Sequence, residues 1–338
     1  MKILLKVFAA LLISLLLWEV ILENCVLKTN GSAVHPVLGT IYKQGYHLHA
    51  TEGYSQTSIN SYGMRGPEIA AKKTGEFRIL VVGDSYTEAF QVTDDNTYSA
   101  LLQAKLKNRC SEITVINAGR SGASPANYIH LADFYQSTIN PDFVIIQLND
   151  GDFVQDIFNK ANHFYVVQEN GTFKTEAKPN RPHRIVEKIP QLKPLVKLSI
   201  LQIGMEKTQN LLKDTPKINN LEAAQPAFRP NYSEIIDWSL AELKNKYPNS
   251  MILYLPIVSY DNQVKPKSEV ETWVEYYADK HSLPFINMRA FFLNYYAETL
   301  QPAHGFYNTM PGKGHVNEAG HRIIASQLDD YITKEVLK

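Results

Sequence analysis

Ser85 lies in the run Val81-Val82-Gly83-Asp84-Ser85, directly after the apolar stretch Arg78-Ile79-Leu80. A serine that follows a buried strand stands at the mouth of a sheet, where an open α/β fold collects its reacting groups. Its hydroxyl attacks carbonyls poorly until a base removes the proton. A serine reaction therefore needs a histidine, donors for the oxyanion and a carboxylate to orient the histidine. Three further segments offer such residues: Asn117-Ala118-Gly119-Arg120-Ser121-Gly122, Asn149-Asp150, and Gly314-His315-Val316-Asn317 before the last helical pattern.

The elements that must position these segments are read from the apolar pattern. Strands are expected at Arg78–Val82, Ile113–Asn117, Phe143–Leu148, Met251–Pro256 and Pro284–Ile286, and helices at Tyr98–Lys107, Ala126–Gln136, Tyr232–Lys246, Ser268–His281 and Glu318–Glu335. Short apolar strands alternating with helices imply an α/β fold, a three-layer α/β/α sandwich around a mainly parallel five-stranded sheet. Right-handed crossovers then bring the carboxyl ends of the strands, and the four segments, to one edge. About a hundred residues separate the third and fourth strands, so a long insertion is expected at about 151–235. Within it, the run from His163 to Lys174 reads as a hairpin turning on Asn170-Gly171, and Arg184–Asp214 as a partly helical stretch that would suit a lid.

Taken singly, the four segments have plainer readings: Asp84 or Ser85 as a helix cap, Gly119 as a strand-end turn, Asn149-Asp150 as a turn, His315 as a surface or core histidine. Taken together, in this order and in these contexts, they resemble the GDSL/SGNH hydrolase family. The segment from Ile59 to Glu68, Ile-Asn-Ser-Tyr-Gly-Met-Arg-Gly-Pro-Glu, is similar to the lead-in of exported or membrane-anchored bacterial branches. The resemblance implies a flavodoxin-like SGNH fold with Ser85 as nucleophile and His315 as general base. It also implies an oxyanion hole made by the Ser85 and Gly119 N–H groups and the Asn149 amide, with Asp84 as support within its loop. The activity implied is hydrolysis of short acyl esters, including O-acetyl groups on carbohydrate. An O-acyltransferase acting on a cell-surface polysaccharide and a catalytically silent carbohydrate-binding protein are the alternatives.

Two positions depart from that pattern. Gln147 stands where the family has glycine, and Gly312 and Lys313 stand where it has the triad acid. Three outcomes stay open: a Ser-His dyad oriented by a backbone carbonyl, a carboxylate from elsewhere such as the insertion, or a site that binds acyl sugars without turning them over. His304, His315 and His321 match no zinc spacing, and nothing in the sequence requires a metal or organic cofactor. His321 reads as packing, and His47 and His49 as strand neighbours without a role.

Composition narrows the rest. Lysine plus arginine and aspartate plus glutamate each number 34, so no basic surface argues for nucleic acid. The two cysteines, Cys25 and Cys110, make neither a disulfide framework nor a metal site. Residues 1–22 have a basic start and a long apolar run, the layout of an export signal, with no small-x-small cleavage site after it and Asn24 before Cys25. An uncleaved membrane anchor is expected, with the following domain outside the cytoplasm, facing the periplasm or the exterior; secretion after cleavage is the alternative. Residues 23–60 are expected to be a tether and irregular lead-in, and 61–338 the hydrolase-like domain.

Overall fold

The computed structural model describes residues 2–25, 31–160, 162–178, 232–260 and 266–338. The stretch 184–214 lies outside them. Helix α1 (Lys2–Cys25) belongs to one unit of the chain, and residues 30–180 and 231–338 form another. In α1, the 21 residues Lys2–Leu22 have a mean hydropathy of 2.3, long and apolar enough to cross a membrane.

The second unit is built on β5 (Phe77–Gly83), β6 (Ile113–Gly119), β7 (Phe143–Leu148), β10 (Ser250–Tyr254) and β11 (Phe285–Asn287), all parallel, in the order β11-β10-β7-β5-β6. The strands are mostly apolar because both faces are covered. Along β5, Leu80 and Val82 enter one core with Ala126, Ile129, Ile236, Leu240 and Val274. Ile79 and Val81 enter the other with Leu102, Phe292, Ile324 and Leu328. The first core is covered by α4 (Pro125–His130), α5 (Ala132–Thr138), α6 (Tyr232–Lys246) and α7 (Glu269–Lys280). The second is covered by α3 (Tyr98–Lys107), α8 (Arg289–Thr299) and α9 (Glu318–Tyr331). The sandwich expected from the sequence is thus the one observed. Strand order reverses beside β5, so the loops after β5, β6 and β7 meet at the crevice where such sheets bind ligands.

Two local differences stand out. The helix expected at Ala126–Gln136 is two helices, broken at Leu131. The lead-in is not irregular from residue 31 on. It forms two antiparallel hairpins, β1 (Ser32–His35) with β2 (Gly39–Tyr42) and β3 (Gly45–His49) with β4 (Ser55–Ile59). The insertion hairpin forms as expected, β8 (Phe164–Glu169) against β9 (Thr172–Ala177), with Asn170 and Gly171 both at positive φ.

Arg65 fastens the second lead-in hairpin to the sheet. Its guanidinium is buried and donates to the carbonyls of Glu88, Ala89 and Val92 and to Asp94 Oδ1 at 2.9 Å. Asp94 Oδ2 in turn accepts the N–H and hydroxyl of Ser58 at 2.9 and 2.6 Å. Asn60 shapes the turn that presents Arg65, its Oδ1 accepting the Tyr62 and Met64 N–H groups. Replacing Arg65 by methionine should destabilise the fold by about 3 kcal/mol, the low end for a buried pair losing one partner, since Asp94 stays partly in water. Urea denaturation of wild type and variant measures it; a loss under about 1 kcal/mol would mean that the arginine is not a structural link.

Candidate active site

Ser85 opens α2 (Ser85–Glu88), a single turn closed by Ala89 at φ 54°. Asp84 caps it, its Oδ1 accepting the Tyr86 N–H at 2.9 Å. The turn packs onto the ends of β5 and β6 because Gly83 and Gly119, paired across those strands, carry no side chain. A Cβ on Gly83 would lie 1.9 Å from Thr87 Oγ1, and one on Gly119 would lie 2.2 Å from the Glu88 nitrogen. Gln147, on the neighbouring strand, accepts from the Asp84 N–H at 3.1 Å and the Thr87 hydroxyl at 2.9 Å. The glutamine that departs from the family pattern therefore braces the serine turn.

His315 comes from the loop before α9, 230 positions from Ser85, and its Nε2 lies 2.8 Å from Ser85 Oγ. Its Nδ1 lies 2.5 Å from Glu52 Oε2, and its backbone N–H donates to Glu52 Oε1 at 2.7 Å. One carboxylate thus grips both the ring and the main chain of the histidine. Because the carboxylate accepts, the imidazole proton belongs on Nδ1, which leaves Nε2 free to take the Ser85 proton. Burial raises the Glu52 carboxyl, but the His315 hydrogen bonds outweigh it and hold the group below its ordinary value.

Glu52 sits in the loop joining β3 to β4, in the lead-in and not in the insertion. Sequence reasoning missed it for want of a local signal: the carboxylate and the histidine are 263 positions apart. The only trace is a pair of glycines. Gly53 adopts φ +71°, and Gly314 adopts φ +88° with its α-carbon turned to Glu52. Lys313 is exposed, and no ion pair involves it among the described residues.

Asn149, at the end of β7, is held in place by its neighbours. Its Nδ2 donates to Asp84 Oδ2 at 2.7 Å, its Oδ1 accepts the Gly151 N–H at 2.7 Å, and its own N–H donates to Asp152 Oδ2 at 2.7 Å. One amide N–H uses Asp84, and the second has no hydrogen-bond partner among the described residues. Burial and then the Asp84 charge push the Asp152 carboxyl well above its usual range. Asp84 thus links the serine turn to Asn149.

Gly119 does not fit the role expected of it. Its N–H donates to Asn117 Oδ1 at 2.9 Å, and the residue is buried within β6. Its small size serves the packing of α2. The next glycine on that loop, Gly122, is exposed at φ +72° in a turn closed by the Ala123 N–H on the Arg120 carbonyl. Its N–H has no partner among the described residues.

His304, His321 and His47 are packed into the fold. His304 is buried with Nδ1 2.7 Å from the Tyr260 hydroxyl, and burial lowers it to about 4. His321 is buried on Tyr98, accepts the Tyr98 N–H at 3.2 Å, and is lowered by burial to about 3. His47 stacks on Phe90 at 4.4 Å.

Comparison with known proteins adds the following. No curated protein matches the chain in sequence. Solved structures similar to it include the acetyl xylan esterase AlAXEase, 14% identical over 76% of this chain and 100% of that one, with a TM-score of 0.44. They also include the psychrotrophic esterase EstA from Pseudoalteromonas sp., 15% identical over 78% and 100%, TM-score 0.41. A third is a catalytic mutant of Axe2, an acetylxylan esterase from Geobacillus stearothermophilus, 16% identical over 77% and 95%, TM-score 0.43. The sequence profile described as the GDSL-like lipase/acylhydrolase family matches residues 81–323, a span that takes in Ser85, Asn149 and His315 and begins after Glu52. On that match the chain belongs to the GDSL-like lipase/acylhydrolase family, an enzyme family whose serine motif it carries at Gly83-Asp84-Ser85.

Proposed function

We propose that this protein is a serine esterase that cleaves short acyl esters, O-acetyl groups on carbohydrate among them, through an acyl-Ser85 intermediate. The observation that carries the reading is the continuous chain Ser85 Oγ–His315–Glu52, with contacts of 2.8 and 2.5 Å. Ser85 Oγ attacks the ester carbonyl while its proton passes to His315 Nε2. The imidazolium that forms is stabilised by the Glu52 carboxylate. The oxyanion takes hydrogen bonds from the Ser85 N–H, the free Asn149 amide N–H and the Gly122 N–H, the last in place of Gly119. Collapse of the tetrahedral species breaks the ester C–O bond, and His315 returns the proton to the leaving alcohol. Water then attacks the acyl-serine by the same route and releases the acid. The silent-binder alternative rested on the empty acid position near His315, and a Glu52 carboxylate on Nδ1 removes that ground. Helix α1 would hold the domain at the outer face of a membrane, near acylated surface carbohydrate.

The test is covalent labelling of the full-length chain with a fluorophosphonate, read by intact mass, beside acetate release from an O-acetylated sugar. One adduct on wild type, none on Ser85→Ala and strongly slowed labelling of His315→Ala are expected. A folded wild type that takes no adduct and releases no acetate defeats the proposal. Loss of acetyl from the donor only when a sugar hydroxyl is supplied, with the acetyl recovered on that acceptor and not as free acetate, would make the protein a transferase and not an esterase. Asn149→Ala should cost a hundredfold to a thousandfold in kcat, roughly what one oxyanion donor is worth, with Ser85 still in place. Steady-state hydrolysis of p-nitrophenyl acetate measures it, and an unchanged kcat would remove Asn149 from the oxyanion site.

A further inference from the structure

Among the described residues the Glu52 carboxylate is held by His315 alone, yet its loop is held by a second residue of the histidine loop. Residues 305–314 form an excursion closed at its base. His304 pairs with Val316, the Gly305 N–H donates to the His315 carbonyl at 2.9 Å, and the Gly312 N–H donates to the His304 carbonyl at 2.9 Å. Near its tip, Phe306–Thr309 is a tight turn. The Phe306 N–H donates to Thr309 Oγ1 at 2.8 Å and the Thr309 N–H to the Phe306 carbonyl at 3.0 Å. That turn presents Asn308. Asn308 Oδ1 accepts the Gly53 N–H at 2.7 Å, and its Nδ2 reaches the carbonyls of Ala50 and Gly53, each at 3.3 Å.

These three contacts bracket Glu52, two residues before it and one after. We propose that Asn308 is a positioning residue of the active site: it fixes the backbone on both sides of Glu52, so that the carboxylate meets His315 without searching for it. The same excursion thus carries the base at its root and the clamp for the acid near its tip. A side-chain amide suits the task because it accepts from one N–H and donates to two carbonyls at once. No other side chain hydrogen-bonds the Ala50 or Gly53 backbone among the described residues. Gly53 itself is closely packed at φ +71°, where a Cβ would lie 2.6 Å from the Gln91 carbonyl and 2.9 Å from the Phe306 ring.

The inference rests on Glu52 acting as the orienting acid, and the experiment separates the two. Full-length wild type, Asn308→Ala, Glu52→Ala and the double variant are compared for kcat and KM on p-nitrophenyl acetate and for the rate of fluorophosphonate labelling. Asn308→Ala should lower kcat by about a hundredfold, the cost of an ångström-scale misplacement, with KM within about twofold of wild type. In the Glu52→Ala background the same substitution should cause no further loss, because its effect passes through a group already gone. Multiplying losses in the double variant, or a single variant with wild-type kcat, overturns the clamp. If Glu52→Ala labels like wild type, the acid assignment fails and the clamp with it. Should Asn308→Ala not fold by circular dichroism, Asn308→Asp carries the same comparison, since it keeps the acceptor for Gly53 and sets an oxygen against two carbonyls.

Discussion

Replacing Glu52 by glutamine is expected to lower kcat by about ten-thousandfold, as loss of the orienting acid does in serine triads, with the protein still folded. The substitution preserves shape and one acceptor, so His315 keeps its main-chain bond to the side-chain oxygen. The amide nitrogen would then face Nδ1 as a donor, and the ring would have to carry its proton on Nε2. That proton would point at Ser85 Oγ, from which Nε2 is 2.8 Å away, and the base would be occupied. The imidazolium also loses the charge that stabilises it. The substitution carries a linked stability effect. Glu52 has its carboxyl below the ordinary value in the folded protein, so its bond to His315 contributes fully above that ordinary value. The contribution is lost as pH falls through the depressed one, and the glutamine variant should lack this part of the acid sensitivity. Labelling rates at neutral pH and melting curves between neutral and acid pH read both effects. A variant within tenfold of wild type in labelling would return the mechanism to a Ser-His dyad.

Gly314→Ala is expected to approach the same loss, about a thousandfold in kcat, by displacing the acid without touching it chemically. The added Cβ would sit 2.1 Å from Glu52 Oε1, so the carboxylate must move, and 3.1 Å from its Cδ. The residue also holds φ +88°, a region that costs a residue with a Cβ about 1–2 kcal/mol. Strain of that size lowers the melting temperature by several degrees but leaves most molecules folded at 25 °C. Activity should therefore fall far more than stability. If the two fall in proportion, the glycine is there for the loop alone.

The parts of the fold legible in the sequence are those where burial on both faces leaves no choice of residue. Phe143–Leu148 is apolar but for Gln147 and is fully buried, and Tyr232–Lys246 shows one apolar face. Asn170-Gly171 announces its turn because both residues accept positive φ. The lead-in hairpins were hidden for the opposite reason. β4 reads Ser-Gln-Thr-Ser-Ile and buries Ser55, Thr57 and Ile59, so its inner face is largely polar and leaves no apolar alternation to detect. Ser85, Asn149 and His315 stand out because each follows or precedes a strong element. Gly119 and Gly122 are equivalent in a string of letters, and the structure separates them by the bond from the Gly119 N–H to Asn117 and by the burial of Gly119. Glu52 was beyond reach because its role depends on a hairpin meeting a loop from the opposite end of the chain.

That long reach of the β3–β4 loop has a practical consequence. On the proposed mechanism the stretch recognisable by family, residues 81–323, would not be a self-sufficient catalyst, for it contains Ser85 and His315 but not Glu52. A version that begins just before β5 at Phe77 and runs through α9 to Lys338 would be expected to keep its sheet and lose its turnover, and such a fragment invites complementation, in which a separate peptide spanning the two lead-in hairpins and Arg65 restores the reaction on binding. Activity would then report whether two pieces of one chain have found each other.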